Sequence, residues 1–202
     1  MTSRFADLKK VPKEPAARLL AVANMRLETK VKAPASAKVE QILTELETEG
    51  ALIDMLRILS VALPPRERTW WACLAARDVV GAKDTAPPRS LLAAESWVLK
   101  PNDDTRAAAR TALDAAEQDD ETTLCAMAAA LADGTLGPGE LAHHAAPPGA
   151  AEAAAFGMNV MALGTVDDFS EGANRLIDRA LDIARGGNGK GAKGQLAAEE
   201  KT

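Results

Sequence analysis

The sequence predicts an all-α protein, and three observations carry that prediction. Of its 202 residues, 43 are alanine and 23 are leucine, both strong helix formers. Only 3% are aromatic, with three Trp, three Phe and no Tyr, so the residues that favour strands are scarce. Apolar residues also recur at helical spacing between proline and glycine punctuation. The expected architecture is a bundle or compact array of about seven to eight antiparallel helices joined by short connectors. Stacked hairpins in the manner of a solenoid are the alternative arrangement, although no 34- or 40-residue period is present.

The elements follow in order. Pro12, Pro15 and Pro34 break the first forty residues into short pieces, because proline inside a helix loses a hydrogen bond. Between them Ala16–Arg26 forms one short helix with Leu19, Leu20, Val22 and Ala23 on its apolar side. From Ala37 the pattern is continuous, with Val39, Ile42, Leu43 and Leu46 at i, i+3, i+4 and i+7. Gly50 caps or kinks that helix, and an apolar stretch from Leu52 to Leu63 continues to Pro64-Pro65. That stretch is apolar nearly all round, as suits a helix buried between others.

Pro65 suits a first helical turn, and the next helix, about 65–81, carries Trp70-Trp71 and Cys73-Leu74. Ala86-Pro87-Pro88 connects it to Arg89–Lys100. Pro101 then stops the chain, and Asn102-Asp103-Asp104 opens a helix of about 104–117. Acids 119–121 start the next, whose stripe is Leu124, Met127, Ala128 and Leu131, and Asp133-Gly134 ends it. The longest linker is 134–149, with seven Gly or Pro in sixteen residues. Two more helices run over Ala150–Leu163 and about 168–185, before Gly186-Gly187. The domain plan is therefore a basic, partly flexible arm (1–36), one helical domain (37–186) and a disordered Gly/Lys-rich tail (187–202).

The formal net charge of −5 conceals an asymmetry. Residues 1–40 hold nine Lys or Arg (Arg4, Lys9, Lys10, Lys13, Arg18, Arg26, Lys30, Lys32 and Lys38) against four acids. A basic arm can seek nucleic acid, but its lone aromatic, Phe5, offers no platform for stacking bases. Folding back on the body or remaining solvated is the plainer expectation. No apolar run approaches the roughly 18 residues of a membrane span, and the basic start lacks the apolar core of a secretory signal. A soluble, cytoplasmic protein without a membrane partner is expected.

Chemistry is hard to find. His143 and His144 are adjacent in the Gly/Pro-rich linker, and neighbouring residues rarely face one ion, so no metal site is expected. Cys73 and Cys125 sit among apolar neighbours, as small buried hydrophobes do. There is no Gly-x-Ser-x-Gly elbow. Gly186-Gly187-Asn188-Gly189-Lys190 follows a helix rather than a strand and has no Ser or Thr after the lysine, so it is not a phosphate loop. Asp103-Asp104, Asp119-Asp120-Glu121 and Asp167-Asp168 all fall where helices begin, where acids cap free N–H groups and complement the dipole. No catalytic residue, no cofactor and no enzymatic activity is expected.

Binding residues are easier to nominate. Trp97 reads as core. Trp70 and Trp71 diverge by about 100° on a helix, so one enters the core while the other reaches a neighbouring helix or a partner. Linkers of this length are often functional. The partner-binding candidates are Trp70, Trp71, Leu136, Pro138, Pro147 and Pro148.

An ordered set of signatures runs through residues 70–186. It begins with Trp70-Trp71-Ala72-Cys73-Leu74 and Ala94-Glu95-Ser96-Trp97-Val98, followed by Pro101-Asn102-Asp103-Asp104-Thr105-Arg106. Next come Asp133-Gly134-Thr135-Leu136-Gly137-Pro138, Pro147-Pro148-Gly149 and the Leu176–Gly186 segment. The set resembles an uncharacterised bacterial family of small alanine-rich helical proteins often encoded near type VI secretion genes. Where those proteins carry a Ser-Gly-Gly-Ser-Leu-type turn and a proline run, this chain has Asp133-Gly134-Thr135-Leu136 and only Pro147-Pro148. The resemblance implies a non-enzymatic accessory or adaptor role, with a secretion spike, effector or adaptor protein as partner. It supplies no catalytic residues. The alternative is a nucleic-acid-associated protein using the basic segment.

Overall fold

Proline, glycine and short polar side chains set the helix boundaries in the computed structural model, which describes residues 3–82 and 86–190. Nine α-helices occur there: α1 (Ala16–Val22), α2 (Val39–Thr48), α3 (Leu52–Ala62), α4 (Pro65–Ala82), α5 (Arg89–Leu99), α6 (Asp103–Asp114), α7 (Thr123–Ala130), α8 (Ala150–Leu163) and α9 (Phe169–Arg185). A 3-10 turn, Gly139–His143, precedes α8. The described residues are 61% helical. The only extended pairing among the described residues is a single bridge, Thr135 with Ala145.

Each boundary has a local cause. Gly50, at φ +66°, separates α2 from α3, so it ends one helix rather than kinking a longer one. Asn102 accepts the Thr105 amide at 2.9 Å and Asp168 accepts the Glu171 amide at 2.9 Å, capping α6 and α9. The acids before α7 behave differently from the expectation. Asp120 accepts both the amide and the hydroxyl of Thr122, making a turn that delays the helix to Thr123.

α4 is the hub of the packing. It touches α5, α7, α8 and α9, while α3 touches α1, α2, α8 and α9. A solenoid would limit contacts to neighbouring repeats, so these long-range pairings exclude the stacked-hairpin alternative. The interior is built from alanine as much as leucine: Ala72, Ala75, Ala76, Ala128, Ala129, Ala155 and Ala180 are all buried. Arg68 crosses this interior from α4. It donates to the Ser60 and Leu63 carbonyls at the end of α3 and pairs with Glu152 of α8 at 2.6 Å. Burial pulls its guanidinium below the usual arginine range, and Glu152 opposes that shift.

The first 36 residues are not an arm outside the domain. Phe5, Leu8, Val11, Ala16 and Ala23 are buried in the same core as α3, α4 and α9. The Lys10 amide donates to the Ala184 carbonyl at 2.9 Å, and Arg185 donates to the Arg4 and Ala6 carbonyls. Farther on, Asp54 accepts the amides of Glu28 and Thr29, and Glu45 accepts those of Lys32 and Ala33. The boundary expected at 36/37 is absent because the apolar residues scattered through this basic stretch supply part of the core. Of the tail expected over 187–202, residues 187–190 fold against the body and 191–202 lie outside the described residues. No helix among the described residues is long and apolar enough to cross a membrane.

Candidate functional site

The two tryptophans part as their 100° separation on a helix requires. Trp71 is fully buried and its indole N–H donates to the Leu176 carbonyl of α9 at 2.9 Å. Trp97 is buried as well. Trp70 is half-buried, and its indole N–H donates to the Asn188 carbonyl at 2.7 Å. The Lys190 ammonium lies 5.5 Å from the centre of its ring, a cation–π distance.

Trp70 stands in a surface groove of about 350 Å³ built from five separate stretches of chain. Lys10 contributes from the N-terminal segment, Arg66, Glu67 and Trp70 from the start of α4, and Val98 and Leu99 from the end of α5. Ile183 of α9 and the segment holding Gly187, Asn188 and Lys190 complete it. Leu99 is 78% exposed, the most exposed large apolar side chain among the described residues. Arg66 donates from Nε to the Val98 carbonyl at 2.6 Å, satisfying a carbonyl that the helix end leaves without a partner. Lys10 pairs with Glu67 at 2.7 Å. The rim thus carries three cations, and its one acid is held by one of them.

The segment after α9 is latched into place. The Gly187 amide donates to the Asp182 carbonyl and the Gly189 amide to its carboxylate, both at 2.8 Å. Gly189 adopts φ +73°, and a Cβ there would sit 2.7 Å from Leu74 Cδ1 and 2.9 Å from Ile183 Cδ1. Only glycine lets the backbone settle this close to the apolar floor. In the sequence this stretch fails as a phosphate loop and carries no other signal of a role.

The 134–149 linker is ordered and lies elsewhere. The Leu136 amide donates to the His144 carbonyl at 2.9 Å, and the Ala146 amide to that of Gly134 at 2.8 Å. α6 holds it from one face: Arg110 donates to the Leu136 carbonyl at 3.0 Å, and the buried Arg106 pairs with Asp133. Partial burial opposes ionisation of Asp133, but hydrogen bonds from Thr135 and the Arg106 guanidinium hold its carboxyl below the usual aspartate range. Leu136 and Pro138 are half-buried, and Pro147 and Pro148 are exposed. None of these four lines the Trp70 groove, so the nominated residues do not converge on one site.

The cysteines, the histidines and Arg4 lie outside the groove lining. Cys73 and Cys125, distant in sequence, meet between α4 and α7. Burial pushes the Cys125 thiol well above its ordinary value, with the hydrogen-bonded Cys73 adding to the shift. His143 and His144 are both exposed. Among the described residues no group of His, Cys, Asp and Glu is arranged to hold a metal ion. In the basic segment, Arg4 bridges Glu47 and Asp178 at 2.6 and 2.7 Å, and Lys32 faces Glu49 at 3.8 Å.

Fold and groove together define an all-helical protein with an apolar, cation-rimmed surface site. The chain belongs to a family of unknown function, DUF6931, whose model matches residues 42–184. No curated protein matches the chain, and no solved structure matches it. The matched segment includes the groove residues of α4, α5 and α9, whereas Lys10, Gly187, Asn188 and Lys190 fall outside it.

Proposed function

We propose that the chain is a non-enzymatic interaction protein that presents a rigid helical surface to a protein partner. One observation carries this reading: Leu99, 78% exposed, and the half-buried Trp70 line one groove on an otherwise well-packed body. An exposed leucine beside a half-buried tryptophan, with an arginine at the rim, has the composition of a binding hot spot. The resemblance across residues 70–186 supports reading that role as an accessory or adaptor of bacterial type VI secretion, serving a spike, effector or adaptor protein in the cytoplasm. The nucleic-acid alternative has less support. Arg4 and Lys10, two of the cations it would use, are engaged with acids of the body.

The test is affinity purification of the tagged full chain from its native host, with quantitative mass spectrometry. The reading expects a secretion spike, effector or adaptor protein at near-stoichiometric yield. Loss of that partner in Leu99→Asp would locate the contact. Recovery of no stoichiometric partner would count against an adaptor, and salt-sensitive retention of DNA or RNA would favour the alternative.

A further inference from the structure

We infer that the Trp70–Leu99 groove binds an acidic, apolar-anchored segment of a partner protein, with the apolar residue on Trp70 and Leu99 and its carboxylates on Arg66 and Lys190. The inference rests on the interaction reading above and names the chemistry of the partner. Charge complementarity decides the occupant. The chain as a whole is acidic, with a formal net charge of −5, yet this rim brings together three cations and one acid. That acid, Glu67, is already paired with Lys10 at 2.7 Å. An anionic segment is therefore repelled by much of the surface and drawn to this place.

The floor sets the other requirement. Trp70, Val98, Leu99 and Ile183 give an apolar lining, and water against an exposed leucine and an indole face is displaced favourably by an apolar side chain. These two cations are also pre-positioned. Arg66 is held by the Val98 carbonyl, and Lys190 sits over the Trp70 ring, so less side-chain freedom is lost on binding. At about 350 Å³ the groove is near the lower end of ligand-pocket volumes, roughly 300–1,000 Å³. It lies open beside Leu99 at the end of a helix, which suits an extended peptide continuing past the groove rather than an enclosed metabolite.

The test uses the full chain and a fluorescein-labelled dodecapeptide of glutamates around a central Leu-Phe pair, followed by fluorescence anisotropy at low salt. Two control peptides replace the glutamates with glutamine, or the Leu-Phe pair with Ala-Ala. The expected result is saturable binding that weakens at least tenfold with either control, in Leu99→Asp and in Arg66→Glu. Because Leu99 is on the surface, its variant should keep the wild-type circular dichroism and melting temperature. Lys190→Glu serves as a second variant should either of the others fail to fold. Three results overturn the inference: no saturable binding, equal binding by wild type and variants, or a concentration-dependent dimer in sedimentation velocity that Leu99→Asp dissolves. The last would make a second copy the occupant. A native partner recovered undiminished with Leu99→Asp would remove this site while leaving the adaptor reading intact, whereas recovery of no partner strikes the adaptor reading itself.

Discussion

Trp70 and Trp71 are neighbours in sequence with opposite assignments, and their substitutions should differ accordingly. Trp71→Ala removes a fully buried indole from the seam of α4 and α9 and should cost about 3–5 kcal/mol. Trp70→Phe keeps an aromatic face at the groove and loses only the hydrogen bond to Asn188, so about 1 kcal/mol is expected. Urea denaturation measures both, and iodide quenching of single-Trp variants tests the exposure directly. Equal quenching and equal destabilisation would refute the assignment. Asp133 gives a second residue-scale prediction. Its carboxyl is depressed in the folded state, so it stabilises the fold fully above the ordinary aspartate value of about 3.9. That contribution fades as pH falls through the lower folded-state value. Asp133→Asn leaves the buried Arg106 without this partner and should cost about 1–3 kcal/mol at neutral pH. The difference in melting temperature between wild type and variant should shrink on acidification; a pH-independent difference would contradict the pairing.

Among the elements, the 134–149 segment has the composition of a linker and the hydrogen bonding of a folded loop. Its Leu136 and Ala146 amides are paired across the loop and should exchange with deuterium slowly, whereas a flexible linker would exchange them at once. The end of this loop closes tightly on the backbone at the end of α1. At Gly149, φ is +78° and an added Cβ would lie 1.9 Å from the Ala23 carbonyl oxygen. Gly149→Ala therefore combines a left-handed residue with a backbone clash and should destabilise by at least about 2 kcal/mol, read as a fall in the urea midpoint. A midpoint matching wild type would mean that the loop does not rest on the α1 end.

For the molecule as a whole, the decisive feature is that the N-terminal segment completes the core. Deleting residues 1–12 removes Phe5, Leu8 and Val11, all buried against the helical body. Each such side chain contributes about 1.5–3 kcal/mol when fully buried, so the truncated chain should melt well below the full chain or fail to fold cooperatively. Circular dichroism followed with temperature settles it. An unchanged melting temperature would mean that these three side chains do not complete the core.

Composition and periodicity were enough for the helical class and for most boundaries, because alanine, leucine, proline and capping side chains act through local backbone physics. The opposed fates of Trp70 and Trp71 were also legible, since the 100° step between adjacent helical residues is local geometry. Leu99 was not. The doublets Leu91-Leu92 and Val98-Leu99 imply that one member of each must turn outward, but which one depends on where neighbouring helices lie. Nor could periodicity reveal that Phe5, Leu8 and Val11, spread among lysines without a helical repeat, would reach α9. The groove itself assembles residues 10, 66, 70, 99 and 190, whose juxtaposition only long-range packing creates. By itself the sequence determined the helices, most of their ends and the separation of the two indoles; the tertiary structure alone decided which apolar and cationic side chains share a surface, because burial is a property of the folded packing rather than of any one segment.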